Sequence, residues 1–153
     1  MKPIIDRFSA LYQRCNPCIQ SLVLLFLRIT IGYRFFLSGK GKLAHFDKTT
    51  GFFESLHIPA PAFHAGLVGG TEMVGGLLLM VGLGTRLASV PLVVSMVVAY
   101  LTAHREEGFA SIYDFTDQAP FMFLCVTLVT LAFGPGKVSL DTVIAGWWKR
   151  RNP

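Results

Sequence analysis

Leu25 to Leu43 reads LFLRITIGYRFFLSGKGKL. Its first half is apolar enough for a lipid bilayer, yet it carries Arg28 near the middle and Arg34 six residues on. The rest of the chain sides with the bilayer. Of 153 residues, 52% are hydrophobic and 15% charged, and mean hydropathy is +0.53. A soluble domain of that composition would expose large apolar patches and aggregate. Four apolar runs, at about 19–37, 62–83, 87–103 and 118–134, each approach the ~20 residues a helix needs to cross ~30 Å of hydrocarbon. The expected fold is all-α, a polytopic membrane four-helix bundle forming one domain over residues 1–153. The net charge of +5 does not point to nucleic acid, because the basic residues sit at segment ends and form no aromatic-interleaved patch.

Four spans put both termini on the same side as the short turn at 84–86. That side holds Lys2, Arg7, Arg14, Arg86, Lys137, Lys149, Arg150 and Arg151, against Lys40, Lys42, Lys48 and Arg105 on the other. Lysine and arginine concentrate on the cytoplasmic side, so both termini are expected to be cytoplasmic. Trp147 and Trp148, followed by Lys149, Arg150 and Arg151, read as an interfacial anchor. The longer outer loops, 38–61 and 104–117, carry most of the polar variety.

An isolated arginine at mid-bilayer costs ~2.5–3.5 kcal/mol on insertion scales and needs a partner. Arg28 lies about ten residues into the first run and Glu72 about ten into the second, which returns the other way. The expected pairing is Arg28–Glu72. Gly32, Gly66, Gly70, Gly75 and Gly76 would let the two backbones approach. Arg34, about 9 Å further along at 1.5 Å per residue, either snorkels to the interface or faces a polar cavity. The candidate substrate-binding set is Arg28, Arg34, Glu72 and His104.

These residues carry a resemblance. The stretches LRITIGYRFFLSGKGKL, GTEMVGGLLLMVGLGTRLAS and FGPGKVSLD together resemble the DoxX family of small four-helix membrane proteins. An arginine enters the first helix and a glutamate the second. Gly39 and Lys42 follow as Gly-x-x-Lys, and Thr85 and Arg86 close the second helix. The resemblance implies a redox-associated, multi-pass protein of the bacterial inner membrane. Its implied role is a quinone-coupled oxidoreductase subunit acting on sulfur compounds or thiols, with a quinone as cofactor. A small anionic or quinone-like ligand and a partner redox protein follow from that reading. The alternative is a non-enzymatic membrane binder or carrier, or a scaffold for partner enzymes.

Other motifs say less. Cys15 and Cys18 form a C-x-x-C beside Arg14, which favours thiolate, but the strand that usually leads into a redox C-x-x-C is absent. They stand as redox candidates, and Cys125 reads as core packing. His45, His57, His64 and His104 match no metal-ligand spacing, so no metal is expected. GLGTR and GPGK follow no strand and read as turns, leaving no nucleotide motif; flavin and haem motifs are missing too. Ser139 and Asp141 read as helix-capping residues.

Overall fold

The stretch that opens the sequence folds as part of one long helix. The computed structural model describes residues 2–105, 109 and 111–151, with side chains from Asn16 onward. Helix α1 spans Lys2–Ala44, α2 Phe46–Ser55, α3 Pro61–Val81, α4 Thr85–Thr102, α5 Ile112–Asp117, α6 Ala119–Phe133 and α7 Leu140–Arg151. Every regular element among the described residues is a helix. Three helical segments are long and apolar enough to cross a membrane: Asn16–Ala44, Pro61–Val81 and Thr85–Thr102. The fourth, Ala119–Phe133, is apolar but shorter. Helix α1 continues to Ala44 where a loop from residue 38 was expected.

That extension follows from close packing. Helix α1 lies chiefly on α3, and α4 on α6. Where α1 and α3 cross, a Cβ added to Gly32 would stand 2.7 Å from the Gly76 carbonyl oxygen, and one on Gly76 would stand 2.5 Å from the Gly32 carbonyl oxygen. Further on, a Cβ on Gly39 would collide with the backbone of Met73 and Gly69. Only glycine permits backbones this close. The contact along Gly39 keeps α1 helical past the point where two glycines and two lysines suggest a loop.

Ile31, Phe35, Leu79, Leu92, Met96 and Val126 form the core, with Phe35 edge-on to Phe123 at 4.6 Å. The Ser89 and Thr130 hydroxyls join α4 to α6 at 2.9 Å, fully buried. Large apolar side chains such as Leu22, Phe26, Leu87, Val94 and Met122 stay exposed, as they should on a bundle whose solvent is lipid. The two ends of the bundle differ. One, the hairpin end, holds the Gly82–Gly84 turn between α3 and α4, and the other holds α2 and α5.

At the hairpin end, glycines in the left-handed region close α3 (Gly82, φ 71°) and open α4 (Gly84, φ 55°), as helix C-termini favour. Asp141 then caps α4 from a different helix. Its Oδ1 accepts from the Gly84 N–H at 2.8 Å and its Oδ2 from the Thr85 N–H at 3.2 Å. Ser139 caps α7 itself, accepting from the Thr142 N–H at 3.2 Å. At the other end, the Leu56–Ala60 loop turns back through left-handed His57 (φ 57°) and Ala60 (φ 47°). Each costs about 1–2 kcal/mol for a residue with a side chain, and Pro61 then starts α3 where a missing N–H does no harm.

Candidate functional site

The expected Arg28–Glu72 pair does not form. Arg28 is 0% exposed at the hairpin end, donating from Nη2 to the Val138 carbonyl at 2.6 Å. Its Nη1 packs over Gly82, where any Cβ would overlap it, and Asp141 supplies the nearby negative charge. The reason is register. In the antiparallel pair Gly39 meets Gly69, Gly32 meets Gly76 and Arg28 meets Gly82. Glu72 therefore lies level with a point roughly ten residues, or about 15 Å, from Arg28 along the axis. Counting depth from the predicted ends of the first run failed because α1 runs on to Ala44.

Glu72 is paired instead with Lys42. The lysine Nζ donates to Glu72 Oε2 at 2.5 Å and to Ser38 Oγ at 2.8 Å. Glu72 is 3% exposed and Lys42 27%. Sequence reasoning missed Lys42 as a site residue because GKGKL read as loop. A signal was present: a buried carboxylate requires a cation, and Lys42 closes the Gly-x-x-Lys of the opening stretch.

The pair forms part of the wall of a cavity of about 590 Å³, within the ~300–1,000 Å³ of small-molecule sites. The remainder is mostly apolar, with Phe35, Phe52, Phe53 and Phe123 among its lining. His64 and His104 border it from the ends of α3 and α4. The Leu56–Ala60 loop contributes Leu56, Ile58 and Pro59, so the strained turn shapes the wall. Near its α2 end Tyr100 stacks on Phe115 at 4.6 Å and donates to the Phe115 carbonyl at 2.7 Å, tying α5 to α4. Glu72 Oε1 has no hydrogen-bond partner among the described residues and Lys42 has a third N–H to give. The wall thus presents one donor and one acceptor side by side.

Of the four expected ligand residues, the fold brings Glu72 and His104 to this cavity. Arg28 lies at the opposite end, and Arg34 is exposed on α1, outside the lining. Cys18 is exposed and Cys125 half-buried in α6, and neither lines the cavity. The Cys15 side chain lies outside the described residues. Among the described residues no group of three or more histidines, cysteines or carboxylates is placed to hold a metal ion.

The stretches that carried the resemblance meet at the hairpin end, where Arg28, Gly82, Thr85, Arg86 and Asp141 converge. Arg86 donates to the Ala132 carbonyl at 3.2 Å. A family model described as DoxX matches residues 23–105, from the first crossing helix to just beyond α4. The chain belongs to the DoxX family. Similar proteins match over most of its length. It is 36% identical over 125 residues to the "Uncharacterized membrane protein Rv3486" of Mycobacterium tuberculosis, covering 75% of this chain and 77% of that one. It is 31% identical over 120 residues to the "Putative oxidoreductase CatD" of Bacillus subtilis, covering 78% and 85%. An uncharacterized protein of Haemophilus influenzae is 30% identical over 128 residues, covering 79% and 82%. No solved structure gives a significant match.

Proposed function

We propose that this DoxX-family chain is the quinone-binding component of an oxidoreductase of the bacterial inner membrane, acting on thiols or other sulfur compounds. One observation carries the reading: the Lys42–Glu72 ion pair set into the aromatic-rich wall of a membrane cavity. A lysine and a glutamate together leave that wall with no surplus charge. A small inorganic anion entering it would lose its hydration and meet a cation already neutralised, a net cost. A neutral ring with carbonyl oxygens suits the same wall. Its faces pack on phenylalanines, and one oxygen takes the free N–H of Lys42. The cavity ligand is therefore quinone-like rather than anionic.

The chemistry follows from that contact. A hydrogen bond from an ammonium to a carbonyl oxygen stabilises the charge that develops there as electrons arrive. The overall reaction is 2 RSH + quinone → RSSR + quinol, so two protons must reach the ring oxygens. With a quinone bound, Lys42 would give the first proton and Glu72 Oε1 would hold the second, which water would supply past His104 at the border. The electrons would come from a sulfur compound that meets the ring at the cavity mouth, or from one oxidised elsewhere by a partner redox protein that reduces the ring. The name carried by the Bacillus relative supports the redox reading.

The test is purified protein in lipid nanodiscs, titrated with a ubiquinone analogue and then with dithiothreitol or thiosulfate while quinol formation is followed in the ultraviolet. Binding abolished in Lys42→Gln, together with thiol-dependent quinol formation by wild type, supports the reading. Wild type that does not bind the quinone overturns it. The absence of either described cysteine from the cavity lining favours a second reading, a binder or carrier without catalysis. Binding without thiol-dependent turnover, with and without membrane extract, selects it.

A further inference from the structure

The seam between α3 and α4 continues past the cavity. Beyond it, toward the hairpin end, lies a separate groove of about 340 Å³ lined by small or apolar residues, Gly70, Thr71, Gly75, Ala88 and Pro91 among them. The two linings share one stripe on each helix, while Gly70 and Val74 lie off it on α3. On α3, Val68 lines the cavity while Thr71, Gly75 and Leu78 line the groove, and these positions recur at helical spacing along one stripe. On α4, Ala88 and Pro91 line the groove while Ser95, Val98 and Thr102 line the cavity, again one stripe. From Ala88 to Thr102 that stripe runs about 21 Å at 1.5 Å per residue.

The seam is also open to the side. Val98 lines the cavity yet is exposed, as is Val74 in the groove. On a bundle in a bilayer, exposure at these positions means contact with lipid chains. A Cβ placed on Gly70 would meet nothing within 4 Å, so this glycine does not serve helix–helix approach as Gly32 and Gly76 do. Its missing side chain leaves space on the lipid-facing seam. The polar end of the path is the buried Glu72, 3% exposed, whose Oε1 has no hydrogen-bond partner among the described residues.

From this arrangement we infer that the ligand is a two-part amphiphile that enters laterally from the bilayer between α3 and α4. Its polar ring sits against Lys42 and Glu72, and its apolar isoprenoid chain lies in the Gly70–Pro91 groove. The inference rests on the quinone reading of the cavity and adds a second subsite and an entry route. Water-soluble rings without a chain would use only half the site. The groove confers position rather than raw affinity, since a chain leaving lipid for protein gains packing but no hydrophobic driving force.

Photolabelling reads that position directly. The probe is a ubiquinone carrying two isoprenoid units and a terminal diazirine, used on the protein in phosphatidylcholine nanodiscs, with mass-spectrometric mapping of the labelled residues. The label is expected on α3 between Gly70 and Leu78 or on α4 between Ala88 and Pro91. An excess of the same ring bearing only a methyl group should suppress it. Gly70→Leu, which fills the groove, should lose most of this labelling, whereas Leu128→Phe on the exposed face of α6 should keep it. Ring-competed label on α2 or the Leu56–Ala60 loop would place the chain toward the other end and overturn the inference, leaving the quinone reading intact. Label that the ring cannot suppress overturns both, because the chain would then be an ordinary lipid contact. Gly70→Leu labelling equal to wild type overturns the groove as the chain's seat.

Discussion

Lys42 is held in an apolar wall by Glu72 and Ser38, which take two of its three N–H groups. Replacing Lys42 by Met leaves a carboxylate buried at 3% exposure with no cation, at a cost of about 3 kcal/mol, the low end for a buried pair because Lys42 keeps some solvent. Lys42→Met and Glu72→Leu should each lower the melting temperature of detergent-solubilised protein, and the double variant should regain much of the loss. Their interaction energy is expected within about 0.5–3 kcal/mol; strictly additive losses would show that the pair is not coupled. Arg28 makes a contrasting case. Arg28→Ala empties a fully buried position and frees the Val138 carbonyl, for a loss of about 2 kcal/mol or more. Combined with Glu72→Leu its effect should add to within about 0.5 kcal/mol, since the two lie at opposite ends. A marked rescue in that double variant would restore the Arg28–Glu72 pairing that the fold argues against.

Helix packing rests on a few positions where backbone meets backbone. Gly76→Ala would put a methyl 2.5 Å from the Gly32 carbonyl oxygen, so α1 and α3 must separate, at about 1–3 kcal/mol for an overpacked site. Loss of monodisperse protein on size-exclusion chromatography, absent in Gly70→Ala, is the expected result. Asp141 joins elements remote in sequence, holding the first turn of α4 from α7. Asp141→Ala should cost about 1 kcal/mol, as removal of a helix cap does, and should increase amide exchange at Gly84 and Thr85 first. Unchanged exchange there would mean that the carboxylate does not hold the turn. Apolar run length made these helices legible from sequence, and Ser139 was legible as a cap. The trans cap was not, because its partners lie 57 and 56 residues away.

For the whole molecule, orientation in the membrane is open to direct measurement. The excess of lysine and arginine at the termini and the hairpin end predicts that this end faces the cytoplasm. Alkaline phosphatase fused after Ala60 or Ser111 should be active, and fused after Arg151 inactive. The reverse pattern would turn the bundle over and place the cavity at the cytoplasmic end. Trp147, with Arg151 stacked 4.1 Å above its ring, and the exposed Val143 and Ile144 fit α7 lying in the interface on that side.

The sequence by itself determined that the chain is a bundle of membrane helices, because apolar run length and the scarcity of charge are local properties that a bilayer reads directly. It also singled out Arg28 and Glu72 as residues needing partners, since burying an ion is costly wherever it happens. Which partner each found was decided by tertiary structure alone. Register between α1 and α3 comes from Gly32, Gly39 and Gly76 meeting backbone across the interface, and residues a turn apart in sequence look equivalent until that contact is made. The same contact carried α1 through GKGKL to Lys42, turned a presumed loop lysine into the counterion of Glu72, and left Arg34 on the exposed face. The cavity exists only because α1, α2, α3, α4 and α6 bring their side chains to one space, and the groove only because α3 and α4 meet.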